Sequence, residues 1–484
     1  MKDTIVLYPA FGSGHLMSMV ELGKLILTHH PSFSIKILIL TPPNTNNNNN
    51  KNNINDSTYQ YISSVSSKFP TINFHYIPSI SLTFTLPPHL QTLELSPRSN
   101  HHVEHIIHSI AKTSNLKAIM LDFLNYSATQ VTYNLEIPTY FYYTSGASLL
   151  SLFLNFPTFH ENATIAVKDY NIHTPIELPG LPRLSKDDYP DEGKDPASPS
   201  YQILLQSAKT LRESDGIIVN TFDAIERKAI KALRDGLCIP DGITPSIFCI
   251  GPVVSASSDK DENGCLSWLD LQPSQSVVLL SFGSLGRFSK AQLNEIAIGL
   301  EKSEQRFLWV VRSELEFEDV SLEELLPTGF LERTKEKGLV VRNWASQGAI
   351  LRHDSVGGFV THCGWNSVLE AVCEGVPMIT WPLYAEQKLN RVILVHERKI
   401  ALELNESKDG FVSGTELAER VKELMESEKG KEIRETVLKM KNSAKEARGG
   451  GGSSLVDLKM LGDSWREHAS WNSNLSPNSP FLFA

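Results

Sequence analysis

Short apolar runs alternate with longer stretches of helical spacing through most of the chain. Residues 5–8 form the first run. A glycine turn follows, then apolar positions at Leu16, Met19, Val20, Gly23, Ile26 and Leu27, the spacing of a helix with one buried face. Further runs at 35–40, 72–77, 118–121 and 137–143 are separated by stretches long enough for a crossover, which predicts a parallel sheet. A polar stretch follows Gly251 and Pro252. The alternation then restarts with runs at 277–282, 306–311, 339–342 and 356–361, and charged helical patterns close the chain over about 415–448. The pattern predicts an α/β protein of two doubly wound, Rossmann-like domains facing a cleft, 1–250 and 265–465, joined by a linker at 251–264. The stretch 44–56, NTNNNNNKNNIND, is too polar to bury and reads as an inserted surface loop, and the tail 466–484 reads as a disordered terminus.

Composition adds exclusions rather than new elements. Hydrophobic residues make up 41% of the 484 positions and charged ones 21%, enough apolar material for real cores. A net charge of −10 argues against nucleic-acid binding, which needs a basic surface, so an anionic ligand would require a local pocket of donors. The cysteines, Cys238, Cys249, Cys265, Cys363 and Cys373, are odd in number and contain no C-x-x-C pair, which fits free thiols in a reducing, cytoplasmic setting. The first apolar run meets Pro9 at once and makes neither a signal segment nor a membrane span. Without such a signal, the Asn-x-Ser/Thr triplets at Asn125, Asn162 and Asn405 read as chance matches.

The densest concentration of chemistry-bearing residues runs from Trp344 to Gln387, WASQGAILRHDSVGGFVTHCGWNSVLEAVCEGVPMITWPLYAEQ. This segment resembles, over nearly its whole span, the signature box of plant UDP-dependent glycosyltransferases of family one. The resemblance implies a GT-B fold, a UDP-sugar donor and a final helix that packs back on the N-terminal domain. The physics of the box agrees. A strand-like run ends at Thr361, and His362, Cys363 and Gly364 turn into a helix whose N-terminus suits a diphosphate, with His362, Asn366 and Ser367 as added donors. Glu370 is a carboxylate suited to two ribose hydroxyls. Trp344 can stack on uracil, with Ala345 and Gln347 beside it, and Glu386 and Gln387 can bond sugar hydroxyls. Taken singly, each has a plainer reading as a core or solvated residue; it is the spacing of the whole set that matches the family. The box departs from the family at Ser346, where proline is usual, so a small change in stability or donor affinity is expected there.

Outside the box, SFGSLGRFS at 281–289 follows an apolar run, so that Gly283 permits close approach and Ser284 can reach a phosphate oxygen. His15 lies on the first strand-to-helix turn and Asp122 ends another strand, both where ligands of open sheets gather. The family uses a histidine and an aspartate in these settings as base and orienting partner. Neutral imidazole can take a proton from a phenol, and the carboxylate can hold its other nitrogen. Attack from the face opposite UDP would invert the anomeric carbon. H-E-x-x-H does not occur, and no metal or other cofactor is expected.

In the family, Trp365 and Gln387 occupy positions that mark glucose use, and Thr144 matches a residue that reaches the sugar 6-hydroxyl. The acceptor wall is expected from the loop at 82–90 together with Phe123, Tyr142, Tyr384 and Ala385. Long segments, among them MKDTIVLYPAFGSGHLMSMVELGKLILTHHPSFSIKILILTPP and YFYYTSGAS, are similar to legume isoflavone 7-O-glucosyltransferases. That similarity implies a phenolic, flavonoid or isoflavonoid acceptor, other small plant phenols being the alternative, and a monomer. A nicotinamide dehydrogenase is disfavoured because Met17 stands where its third glycine belongs and the second strand ends on Thr41 and Pro42. A P-loop is absent, since Gly23 and Lys24 are followed by leucine. A catalytically weak UDP-sugar-binding protein of the same fold would be expected to have lost His15 or Asp122.

Overall fold

The computed structural model describes residues 1–41, 56–171, 173–255, 261, 263–314, 320–407 and 409–467. The expectations for most of 44–56 and for the tail fall outside these residues. The N-terminal sheet holds seven parallel strands, the first five of them formed by the expected apolar runs: β1 (Lys2–Tyr8), β2 (Ser34–Leu40), β3 (Ile72–Ile77), β4 (Ser114–Asp122), β5 (Thr139–Tyr143), β6 (Gly216–Val219) and β7 (Ser246–Cys249). Their order is β3-β2-β1-β4-β5-β6-β7. The second sheet holds β8 (Val277–Ser281), β9 (Arg306–Val311), β10 (Gly338–Arg342), β11 (Val356–Thr361), β12 (Met378–Thr380) and β13 (Ala401–Glu403), in the order β10-β9-β8-β11-β12-β13. Every pairing in both is parallel. Both are therefore doubly wound, the second with the strand order of a dinucleotide-binding sheet and the first with one strand more.

Helices cover both faces of each sheet, so the strands are apolar on both sides and read as continuous Val, Ile and Leu runs. Alternation along each strand divides the N-terminal core in two. Val6, Leu121, Phe141 and Tyr143 belong to one face, and Leu7, Met120, Tyr140 and Tyr142 to the other. Four strands, β6, β7, β12 and β13, have no counterpart in the sequence reading. With three or four residues each they are too short for periodicity to register.

The charged pattern near 415–448 forms two helices, Gly414–Glu426 and Glu428–Arg448, divided at Ser427. The Ser427 hydroxyl donates to the Glu423 carbonyl at 2.6 Å and accepts from the Gly430 N–H at 3.0 Å. The last helix, Ser453–Glu467, seats itself on the N-terminal sheet. Trp465 is fully buried there, edge-on to Phe33 at 5.8 Å and to Tyr140 at 6.3 Å, and Ser464 bonds the Tyr140 hydroxyl at 3.0 Å. Further joints between the domains are the ion pairs Asp188–Arg391 and Asp191–Lys388, both at 3.0 Å. No helix among the described residues is long and apolar enough to cross a membrane.

Candidate active site

An open doubly wound sheet leaves a crevice beyond the carboxyl ends of its strands where the winding reverses. Here the reversals lie between β1 and β4 and between β8 and β11. His15 follows β1, Asp122 ends β4, Ser284 follows β8 and His362 follows β11. The two crevices share one cleft of about 390 Å³, with walls from both domains.

Gly12, at φ 123°, makes the turn into helix Ser13–His29, a conformation that side-chain-bearing residues rarely adopt, and so brings His15 to the cleft. His15 Nδ1 lies 2.7 Å from Asp122 Oδ2, and Thr144 Oγ1 lies 3.3 Å from the same nitrogen. Asp122 is fully buried, and its other oxygen accepts the Leu124 N–H at 3.1 Å, so the carboxylate is held from both ends. It fixes Nδ1 as the donor and leaves Nε2 as the basic nitrogen. Burial disfavours the imidazolium, but the charge and hydrogen bond of Asp122, with Glu386, outweigh it and hold the His15 pKa above the ordinary value.

On the opposite wall, His362 approaches the backbone so closely that a Cβ on Gly283, at φ 71°, would stand 2.6 Å from Nε2. Burial pushes the His362 pKa down to about 4, and its Nδ1 has no hydrogen-bond partner. Asn366 Oδ1 is likewise unpartnered. Both residues line the cleft at the start of helix Trp365–Glu374, whose N–H groups and positive dipole end suit an oxyanion. Three non-glycine residues with positive φ flank this wall: Asn343 (64°) before Trp344, Cys363 (65°) after His362 and Ala385 (53°) before Glu386. Strain of this kind gathers where side-chain placement is over-determined.

Of the residues expected at the donor, His362, Asn366, Ser367, Ser284, Glu386 and Gln387 line the cleft, as does Thr144. Gln387 Oε1 accepts the N–H groups of Leu383 and Tyr384 at 2.8 and 3.0 Å, which fixes the side chain at the cleft wall. Trp365 lines the cleft too, but its indole N–H is donated to the Asn220 carbonyl at 2.7 Å, across the domain boundary. It therefore acts as a wall and a joint rather than as a donor to a sugar. Trp344, Ala345, Gln347 and Glu370 lie outside the lining, in a neighbouring group reached through Ser367. Gln347 Nε2 donates to Ser367 Oγ at 2.9 Å and to Glu370 Oε2 at 2.6 Å. Trp344 is 40% exposed, an open platform for a planar ring. Burial lifts the Glu370 carboxyl to about 7 against the opposing bond from Gln347, with Glu374 adding to the rise. Ser346 sits at φ −74°, inside the range a proline ring imposes, so the turn into helix Gln347–Arg352 keeps its course.

On the acceptor side, Phe123, Tyr384 and Ala385 line the cleft, and Pro88, His89 and Leu90 reach it from the loop expected to do so. Tyr142 does not. Its neighbour Tyr143 lines the cleft instead, because alternation along β5 turns Tyr142 to the other sheet face, where its hydroxyl bonds Ser18 at 3.0 Å. The sequence reading also missed Leu149, Leu152, Phe153 and Phe156, an apolar wall from helix Ala147–Asn162. That helix is buried from Ala147 to Pro157 and looks like core; its place directly after the end of β5 is the signal that could have marked it. Among the described residues no group of three or more His, Cys, Asp or Glu could hold a metal ion, and all five cysteines are free thiols.

The family model for UDP-glucoronosyl and UDP-glucosyl transferases matches residues 210–442. Isoflavone 7-O-glucosyltransferase 1 of Glycine max is 60% identical over 478 residues, covering 96% of this chain and 100% of that protein. UDP-glycosyltransferase 1 of Pueraria montana var. lobata is 59% identical over 475 residues, covering 97% and 100%. Among solved structures, Phytolacca americana UGT2 complexed with UDP-2fluoro-glucose and pterostilbene superposes with a TM-score of 0.84 at 36% identity, covering 96% of this chain and 100% of that one. With its two facing doubly wound domains and these relatives, the chain belongs to the UDP-glucoronosyl and UDP-glucosyl transferase family and is a plant-type UDP-glycosyltransferase of GT-B fold.

Proposed function

We propose that the enzyme transfers glucose from UDP-glucose to a phenolic hydroxyl of a flavonoid or isoflavonoid, the 7-hydroxyl of an isoflavone in particular, with inversion at the anomeric carbon. The observation that carries this reading is the His15–Asp122 pair at 2.7 Å, opening on a cleft whose other wall carries His362 ahead of the N-terminus of helix Trp365–Glu374. His15 Nε2 takes the phenol proton as the phenolic oxygen attacks C1 of glucose. The bond from C1 to the diphosphate oxygen breaks, and UDP leaves with the electron pair. Asp122 stabilises the imidazolium that forms. The departing diphosphate lies at the start of helix Trp365–Glu374, within reach of His362, Asn366 and Ser367, and the ribose and base extend toward Glu370 and Trp344. Glucose rests against Thr144, Glu386 and Gln387. The isoflavone acceptor is supported by the 60% identical soybean relative and by the apolar wall at Phe123, Tyr143 and Phe153, which suits a flat aromatic guest.

The test is an assay of purified protein with UDP-glucose and an isoflavone such as daidzein, with the product identified by mass and by glycosidic position. A 7-O-β-glucoside is expected. His15→Ala should lower turnover by about 10³-fold or more while changing UDP affinity by less than about twofold. Failure to form a 7-O-glucoside from any isoflavone would overturn the acceptor assignment, and full activity in the His15 variant would overturn the base.

A further inference from the structure

Glu226 is 3% exposed, outside the cleft lining, and held by more hydrogen bonds than any cleft carboxylate. Helix Asp223–Arg234 breaks its helical geometry at this residue, with φ −137° and ψ 37°. The carboxylate crosses to the start of helix Ala147–Asn162. There Oε2 accepts the Ala147 N–H at 2.7 Å and Oε1 the Ser148 N–H at 2.8 Å, while the Thr221 hydroxyl donates to Oε2 at 2.6 Å. Gly146 supplies no side-chain cap of its own, and a Cβ there would lie 2.6 Å from Glu226 Oε1. A buried carboxylate thus caps a helix N-terminus from 79 residues along the chain, neutralising N–H groups and complementing the positive end of the helix.

Of the two residues before that cap, Thr144 lines the cleft and Ser145 bonds a residue that does. Thr144 Oγ1 lies 3.3 Å from His15 Nδ1, and Ser145 Oγ donates to Glu386 Oε1 of the opposite domain at 3.0 Å. On its other side Glu226 holds Thr221, whose neighbour Asn220 carries the carbonyl that accepts the Trp365 indole N–H. Asn220 is itself fixed by paired bonds to the Val253 backbone, at 2.9 and 2.7 Å, where the chain leaves the N-terminal domain.

We propose that Glu226 is a positioning residue that registers the two walls of the cleft from one buried point: it sets Thr144 and Ser145 against His15 and Glu386, and through Thr221 and Asn220 it seats Trp365 at the start of the donor-side helix. The proposal rests on the reading that Thr144 and Glu386 face the donor glucose, so its effect falls more heavily on the sugar than on the nucleotide, which Trp365 touches only as a wall of the cleft.

Glu226→Gln tests it, because whichever way the amide turns, its NH₂ confronts a donor that the carboxylate had accepted. Calorimetry without acceptor is the first readout. UDP-glucose affinity is expected to fall about tenfold, the scale of a lost buried bond, while UDP affinity changes less than about twofold. Glu226→Asp, which keeps both oxygens, should recover at least half of the loss on a logarithmic scale. Ser145→Ala, which carries the comparison even where Glu226→Gln fails to accumulate, should show the same split between UDP-glucose and UDP. In steady state the KM for UDP-glucose should rise more than the KM for acceptor. Parallel loss of UDP and UDP-glucose affinity, or an unaltered ratio in both Glu226→Gln and Ser145→Ala, would overturn the proposal. Wild-type protein that binds UDP-glucose but glucosylates no phenol would overturn the acceptor reading alone, because the binding comparison needs no acceptor.

Discussion

Asp122 acts on His15 in two ways that separate along a pH axis. Its charge and hydrogen bond raise the His15 pKa, and only the neutral imidazole accepts a proton. The acid limb of kcat/KM is therefore expected above the ordinary histidine value of about 6.5. Asp122→Asn should move that limb to lower pH while lowering the plateau by about 10³–10⁴-fold, as the tautomer and the imidazolium lose their support. A limb that stays put would mean that another group titrates. Glu370 gives a second pH signature. Burial pushes its carboxyl up to about 7, and ribose hydroxyls would bind its charged form. UDP affinity should thus weaken as pH falls through about 7, in a window well above the His362 pKa of about 4. Glu370→Gln should flatten this dependence, measured as the UDP dissociation constant between about pH 6 and 8. The sequence exposed most of these residues, because polar side chains at the ends of apolar strands stand out against their surroundings. It did not expose their allegiances. Nothing in the sequence around Trp365 tells that its N–H serves Asn220, 145 positions earlier, and Glu226 looks like any charge on an amphipathic helix.

Elements were legible in proportion to their length. The expected bounds of β3, β9 and β11 coincide with those observed; β9 and β11 are almost wholly buried, while β3 is buried at its two ends, Ile72 and Ile77. The strands of three and four residues needed their neighbours to form at all. The Tyr142 error is one of phase rather than of element: β5 was placed, but five buried residues in a row give no sequence clue to which alternate set faces the cleft. The division at Ser427 follows from capping chemistry, since one hydroxyl ends the helix before it and starts the helix after it. Ser427→Ala should cost about 0.5–2 kcal/mol in chemical denaturation, and Ser427→Asp, which can still accept the Gly430 N–H, should restore part of it. An alanine variant as stable as the parent would show that the two helices hold their corner by packing alone.

At the scale of the molecule, each sheet alone offers half a site. His15 follows a strand of the first sheet and His362 a strand of the second, and both line the one cleft in which we propose that transfer takes place. The final helix is part of that arrangement. Trp465 fills the space between Phe33 and Tyr140, so Trp465→Ala should destabilise the protein by about 3–5 kcal/mol, read from urea unfolding. A loss below 1 kcal/mol would show that the helix merely lies on the surface. Because Leu458, Leu461 and Trp465 belong to the same core as Ile5 and Ile35, the first domain to leave the ribosome is the last to be finished. At 5–20 residues per second, roughly 200 residues of the second domain occupy about 10–40 s of synthesis, during which a patch of the first domain's core waits for side chains not yet made.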